Sequence, residues 1–469
     1  MNITTAATTP AMNEAADALA QVHSAARQAL QLMRDQGFEH AQVNVVAQQR
    51  SEVCLAHNEA SLLRSTATHK LQLVGLHDAR RAACEASSID PTSLRSAVQG
   101  LWAQVAAAPQ DPAHAVSSGQ HLLYQPGGAF ETGESTADGG ADGGADSAAI
   151  HDTLAQAMAD LLAWRAAHTP RVMLEEALAG CTTQHSCLLT SGGSELVTQQ
   201  RWYDASIFAL ARGTGADSHK TSSFNTTQGT AASLQGRPIQ QQFGFQGLME
   251  ALERQLDTQP LGGRFQGAVV LTPAAVTTLL SWLLGQLGPL SDQPLIDGSS
   301  IYLQRVGQPV ASSALTLKSR FDAPGLAPIT ADGFVAAPLQ PLTQGRLNLL
   351  MPSLYASRKT GLPHAPAAAQ GWELAAGTQP LAALVAQVPR GALVDRLSMG
   401  RPAANGDFSG VIKNSFAIHN GLLGPALSET MISGNVAHML RDVQAASAER
   451  IDTGAWVLPW LLVPGLHFS

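Results

Sequence analysis

Hydrolysis at a bound zinc needs two imidazoles on one helical face, with a carboxylate beside the bound water as general base. The string H-E-x-x-H encodes that requirement, and none of the fifteen histidines in this 469-residue chain is followed by glutamate. His419 and His438 are the histidines of the segment richest in polar motifs, and they are too far apart in sequence to share one helical turn. Cys181 and Cys187 bracket His185 in CTTQHSC, which raises a sulfur–nitrogen metal site. That stretch alternates like a strand, so the three side chains share a face but spread along it too widely for one tetrahedral ion. The chain has no G-x-S-x-G elbow for a serine nucleophile, no G-x-x-x-x-G-K-[ST] phosphate loop and no G-x-G-x-x-G fingerprint. No metal ligand set and no catalytic residue is expected within it.

The concentrated signal lies in residues 405–443, NGDFSGVIKNSFAIHNGLLGPALSETMISGNVAHMLRDV. Asn405, Asp407, Ser409, Lys413, Asn414, Glu429 and Asn435 stand there among glycines and apolar residues. Asx side chains capping backbone N–H groups in a meander of turns would account for any one of them. Together, so many hydrogen-bonding groups close in sequence suit a cleft that holds a peptide backbone. The candidate peptide-contacting residues are Asn405, Asp407, Ser409, Lys413, Asn414 and Glu429.

This string closely resembles the C-terminal signature of the TldD/PmbA family, metallopeptidases also described as modulators of DNA gyrase. SLYASRKTGL (353–362) and GALVDRLSMGRPAANGDFSG (391–410) resemble family segments as well. The likeness is specific from about residue 262 onward and looser before it. One branch of the family carries an H-E-x-x-x-H zinc helix; the other, called PmbA or TldE, lacks it. The two pair as a heterodimer around a peptidase chamber. The matching helix here is TTLLSWLLGQLGPL (277–290), which puts Ser281, Trp282 and Gln286 where His, Glu and His would stand. The resemblance therefore implies a PmbA/TldE-like subunit with no cofactor of its own, zinc being expected in a TldD-like partner. Peptide toxins, antitoxins and modified peptide precursors are the family's substrates, so it also implies cytoplasmic proteolysis or peptide maturation. A non-proteolytic homodimeric scaffold with the same fold is the alternative. Where the family often shows Phe-Asp-x-Glu-Gly, this chain has Phe321-Asp322-Ala323-Pro324-Gly325, and the proline removes a carboxylate.

The elements that must position these residues read as α+β, an N-terminal helix-and-antiparallel-sheet domain followed by a larger mixed β-rich domain of the TldD/PmbA type. Leu19, Val22, Ala26, Leu30 and Met33 recur at helical spacing, with Gly37 where a C-terminal cap belongs. Alternation around Val43 and Leu71 predicts antiparallel strands. Asp90-Pro91 supplies an N-cap and first-turn proline for a helix presenting Leu94, Val98, Leu101 and Val105. Further helices are expected at 150–168, around Leu248–Leu256, at 380–388 and at 436–446, with strands at 202–212 and 267–272. The organisation expected is an N-terminal α+β domain over 1–126, a flexible Gly/Ala/Asp insertion over 127–148, a middle α/β segment over 149–240, and a C-terminal domain over 241–469. The insertion carries ADGGADGGAD, whose aspartates lack the alternating ligands and closing glutamate of a calcium loop.

Hydrophobic residues make up 45% of the chain and charged residues 14%, enough apolar material for a core. A formal net charge of −8 without a Lys/Arg run argues against nucleic acid. The N-terminus lacks the basic start and apolar run of a secretory signal. Four cysteines are no disulfide framework, and the most apolar window, 271–290, is broken by prolines and polar residues. A soluble cytoplasmic protein, free of membrane, is the expectation.

Overall fold

The fold is seen in a computed structural model that describes residues 10–125, 147–320, 323–367 and 371–469. Most of the acidic insertion, and Phe321 and Asp322, lie outside the described residues. The first half of the chain runs α1 (Pro10–Gln36), β1 (His40–Ala56), β2 (Glu59–His77), β3 (Arg80–Ala86), α2 (Pro91–Ala107), β4 (His121–Tyr124) and α3 (Ser147–His168). Then come β5 (Val172–Thr190), β6 (Glu195–Ala211), β7 (Asn225–Ala231) and α4 (Phe245–Arg254). The second half opens with β8 (Thr258–Gln259), β9 (Phe265–Leu271), α5 (Pro273–Leu284) and α6 (Asp292–Ile296). Short pieces follow: β10 (Leu317–Ser319), β11 (Leu342–Thr343), β12 (Arg346–Leu347), α7 (Leu354–Thr360), β13 (Trp372–Leu374) and α8 (Leu381–Ala386). The chain continues through β14 (Arg390–Val394), β15 (Arg396–Ser398), β16 (Asp407–Lys413), β17 (Phe416–His419), β18 (Leu422–Leu427) and β19 (Thr430–Asn435). It closes with α9 (Val436–Asp442), β20 (Ala445–Asp452) and β21 (Trp456–Phe468).

Two sheets organise these elements. The N-terminal sheet has the order β3-β2-β1-β5-β6-β4, with β7 also on β6, and is antiparallel except where β4 runs beside β6. It joins strands from both 1–126 and 149–240. The C-terminal sheet is larger and mixed, with parallel pairs β9–β14, β13–β21 and β8–β18 among antiparallel ones. The α+β expectation is met.

Local chemistry explains the helices that hold the N-terminal sheet. Asp90 accepts the backbone N–H groups of Thr92 and Ser93 at 2.9 and 3.0 Å, capping α2 ahead of Pro91. Gly37 ends α1 at φ +102°, a left-handed conformation that glycine enters without Cβ penalty. Val22, Ala26, Leu30 and Met33 of α1, with Leu94, Val98 and Leu101 of α2, bury against Val43, Val45, Leu71 and Leu73 of the sheet. Further along, Leu154, Met158 and Leu161 of α3 and Met249 and Leu252 of α4 cover Ala177, Ala179, Ile207 and Ala209.

The opposite face of this sheet is polar and meets the C-terminal half. Arg50 of β1 lies across Gly180 of β5 to reach Asp204 of β6 through two parallel bonds of 2.7 and 2.8 Å. A Cβ at Gly180 would stand 2.5 Å from that guanidinium, so the crossing needs glycine. At the other end of β1, the Gln42 amide donates to Ala331 O at 3.0 Å. The segment resembling the family at 353–362 forms α7, capped by Ser353, and clasps the two halves together. Tyr355 Oη and Lys359 Nζ both reach Asp111 Oδ2, at 2.8 and 2.9 Å. Lys359, the Ala113 N–H and Tyr355 hold the Asp111 carboxyl well below the usual carboxylate range.

A second junction centres on Asp395, between β14 and β15. Thr272, the N-cap of α5, donates its hydroxyl to Asp395 Oδ1 at 2.8 Å, and Asn225 of β7 donates to Oδ2 at 2.6 Å. Burial pushes this carboxyl above its ordinary range, against the two hydrogen bonds. Asp395→Ala leaves both donors without their acceptor and is expected to cost about 2 kcal/mol, read as a lowered urea midpoint.

Candidate functional site on the open face of the C-terminal sheet

Strand alternation sorts the C-terminal signature into two faces. Phe408 and Ile412 of β16, Ile432 of β19 and Phe468 of β21 point into the core. The other face carries Asp407, Ser409, Val411 and Lys413 of β16 opposite Asn435, Ser433 and Met431 of β19, with Glu429 at the end of the row. On one flank β15 adds Arg396 opposite Lys413 and Ser398 opposite Val411. On the other, β21 sets His467 opposite Ser433, and Gln266 of β9 follows. Asp407, Ser409, Ser433 and His467 are exposed. At ~3.3 Å per residue the row from Asp407 to Lys413 runs about 20 Å, long enough to underlie several residues of an extended peptide.

The six candidate residues divide on this frame. Asp407, Ser409 and Lys413 share the row, and Lys413 pairs with Glu429 at 2.7 Å. Asn405 lies in the turn before it: its side-chain N–H donates to Asp407 Oδ2 at 2.7 Å and its Oδ1 accepts Asp407 N–H at 3.1 Å. Asn435 donates to Asp407 Oδ1 at 2.8 Å and to Asn405 O at 2.9 Å, while its own Oδ1 caps α9 at His438 N–H. Asn435, then Asn405, holds the Asp407 carboxyl below its ordinary range. Asn435 is thus the residue that caps α9, and Asp407 and Asn405 hold its side chain in place. Asn414 stands apart. It turns the chain at φ +50°, is 2% exposed, and donates to Phe224 O at 3.0 Å, facing the N-terminal half.

Ser433, His467, Arg396 and Ser398 were not singled out from sequence. They come together through strand pairing, and nothing local in the sequence says which strand lies beside β19.

Helix α5 ends against this face. Trp282 is buried, its indole N–H donates to Ala403 O at 3.2 Å, and its ring lies over Gly406. Gly406 has φ +94°, and a Cβ there would stand 3.1–3.2 Å from Asn435, Ala437 and Trp282. The helix stops at Leu284, where Gly285 N–H closes on Ser281 O at 2.9 Å. It therefore does not extend to Leu290 as expected, and Gln286 sits in the exposed turn beyond. The groups at 281, 282 and 286 are an exposed hydroxyl, an indole already bonded inward and an amide off the helix; they do not fit a zinc ion. Among the described residues, no three His, Cys, Asp or Glu are grouped to hold a metal. Cys181 and Cys187 lie in separate apolar clusters, and burial pushes the Cys187 thiol up to about 12, leaving it protonated at neutral pH.

Residues 265–469 match the family model described as the PmbA/TldA metallopeptidase C-terminal domain. In fold, the chain is similar to a proposed modulator of DNA gyrase from Bacteroides thetaiotaomicron, with TM-score 0.78 and 20% identity over 95% of this chain and 98% of that one. It is similar to TldE from Thermococcus kodakarensis, with TM-score 0.75 and 16% identity over 96% and 100%. A proposed modulator of DNA gyrase from Thermotoga maritima gives TM-score 0.73 and 14% identity over 95% and 100%. No curated protein matches in sequence. These structural likenesses show the shared fold, and the signature strands, turn and helix just described fall within the matched residues: residues 265–469 carry a C-terminal domain of the PmbA/TldA metallopeptidase type.

Proposed function

We propose that this chain is a PmbA/TldE-like subunit of a TldD/PmbA-type metallopeptidase complex, without a zinc site of its own. It would shape the chamber in which a zinc-bearing TldD-like partner cleaves peptide or unfolded polypeptide, in cytoplasmic proteolysis or peptide maturation. The carrying observation is Trp282. At the position matched to the catalytic glutamate stands an indole sealed between α5 and the Ala403–Gly406 turn, which offers no base to a water. The open face of β15, β16, β19 and β21 would contact the substrate through Ser409, Lys413 and Glu429, joined by Ser433 and His467. Asn405, Asp407 and Asn414 support that face from its ends.

Association is favoured by the edge of β2. Among the described residues, 59–70 pair only with β1, and Leu62 and Leu63 are exposed there. An unpaired edge of this length is a template for another strand. A second copy could use it as well as a zinc-bearing subunit, which keeps a homodimeric scaffold as the second reading.

The test is zinc content and casein hydrolysis for the chain alone and mixed with a zinc-motif relative from the same cell. No stoichiometric zinc and no cleavage alone, with cleavage gained or altered in the mixture, is the expected result. Chelator-sensitive cleavage by the chain alone would overturn the subunit reading, and inertness in every mixture would favour the scaffold.

A further inference from the structure

On the N-terminal half, α3 and the 234–240 loop flank a cleft of about 550 Å³, within the size range of small-ligand sites. Leu234 and Ala157 form an apolar floor and are buried. The walls carry Gln156, Gln235 and Gln240 and two opposite charges, Asp160 on the helix and Arg237 on the loop. Hydrogen bonds hold the loop in shape: Gln235 donates to Thr153 Oγ1 at 3.1 Å, and Gln242 donates to Arg237 O at 2.8 Å.

The two charges are not spent on each other. Asp160 accepts one bond, from Gln156 at 2.8 Å on Oδ1. The Arg237 guanidinium has no partner among the described residues. A carboxylate and a guanidinium lining one cleft together with glutamine amides, over an apolar floor, complement a molecule that carries a positive end, a negative end and amide groups.

We infer that this cleft binds a short zwitterionic peptide, its ammonium at Asp160, its carboxylate on the Arg237 fork and its amides on the glutamine side chains. The inference does not depend on the chamber reading, and its failure would leave that reading intact.

Calorimetric titration of the full chain with trialanine tests it. The companion ligands are N-acetyl-trialanine and trialanine amide, and the variants are Arg237→Gln and Asp160→Asn. Both positions are exposed, and unchanged thermal midpoints will show that the variants fold. Saturable binding of trialanine is expected, weakened about tenfold by blocking either terminus. Arg237→Gln should weaken trialanine but leave the amide unchanged, and Asp160→Asn should weaken trialanine but leave the acetylated peptide unchanged. Absence of saturable binding, or binding indifferent to both variants, would overturn the assignment.

Discussion

Replacing Arg50 by methionine should lower the stability of the N-terminal sheet by about 2–4 kcal/mol, because it strands the Asp204 carboxylate in the middle of that sheet and takes from Glu52 one of its two arginines. Arg50 bonds Asp204 through both terminal nitrogens, Thr182 at 2.9 Å and Glu52 Oε2 at 2.9 Å. Arg64 holds the other oxygen of Glu52 at 2.5 Å. Glu52 is 6% exposed. Burial alone would raise its pKa, yet Arg50 and Arg64 together bring it below the ordinary glutamate value. A depressed carboxylate contributes stability that is present above its unfolded pKa of about 4.3 and is lost as pH falls through the lower folded value. The gap between wild type and Arg50→Met should therefore be widest near neutrality and narrow below about pH 4. Arg50→Lys keeps a charge but loses the fork and should fall between the two. Urea unfolding followed by circular dichroism at pH 7 and pH 3.5 measures both effects; equal midpoints for Arg50→Met and wild type at pH 7 would refute the network's role.

That network shows where a single sequence stops being legible. The helices on the N-terminal sheet and parts of β1, β2, β5 and β6 are legible from periodicity, and Asp90-Pro91 from its own chemistry, because each signal is contained in a few neighbouring residues; β3, β4 and β7 carry no such signal. Arg50 and Asp204 are joined only by the register of β1 on β5 and β5 on β6, and register has no local signature. The open face follows the same rule. Asp407, Ser409 and Lys413 are legible as candidates because they lie close together in sequence, while His467 reaches them only through pairing of β21 with β19. Helix ends differ from the expectation where the apolar pattern outruns the helical backbone. Residues 436–446 predicted one helix, but Val443 leaves helical dihedrals and Ala445 begins β20. The polarity of Asn414 suggests a ligand contact, whereas its left-handed turn and its bond to Phe224 O account for its type without one.

Removing the indole of Trp282 should cost about 3–5 kcal/mol, the usual loss for emptying a buried aromatic site. Its ring fills the space between α5 and Gly406, and its N–H satisfies Ala403 O. Trp282→Phe keeps most of the apolar volume but leaves that carbonyl without its donor, so about 1 kcal/mol is expected. Because the Ala403–Gly406 turn leads into Asp407 and the open face, Trp282→Ala should also impair any cleavage gained with a zinc-bearing partner at temperatures where the variant is still folded. Ser281→His, Trp282→Glu and Gln286→His combined provide the stricter test. If the helix were merely missing its ligands, restoring them would restore zinc binding. Here position 286 lies beyond the last helical residue, and a glutamate at 282 would set an unpaired carboxylate in the space the indole fills. The triple variant should be less stable than wild type and take up no stoichiometric zinc, as measured by elemental analysis after dialysis. Stoichiometric zinc in a folded triple variant would show that α5 keeps the geometry of a catalytic helix, and that the subunit differs from its zinc-bearing relatives in three side chains alone.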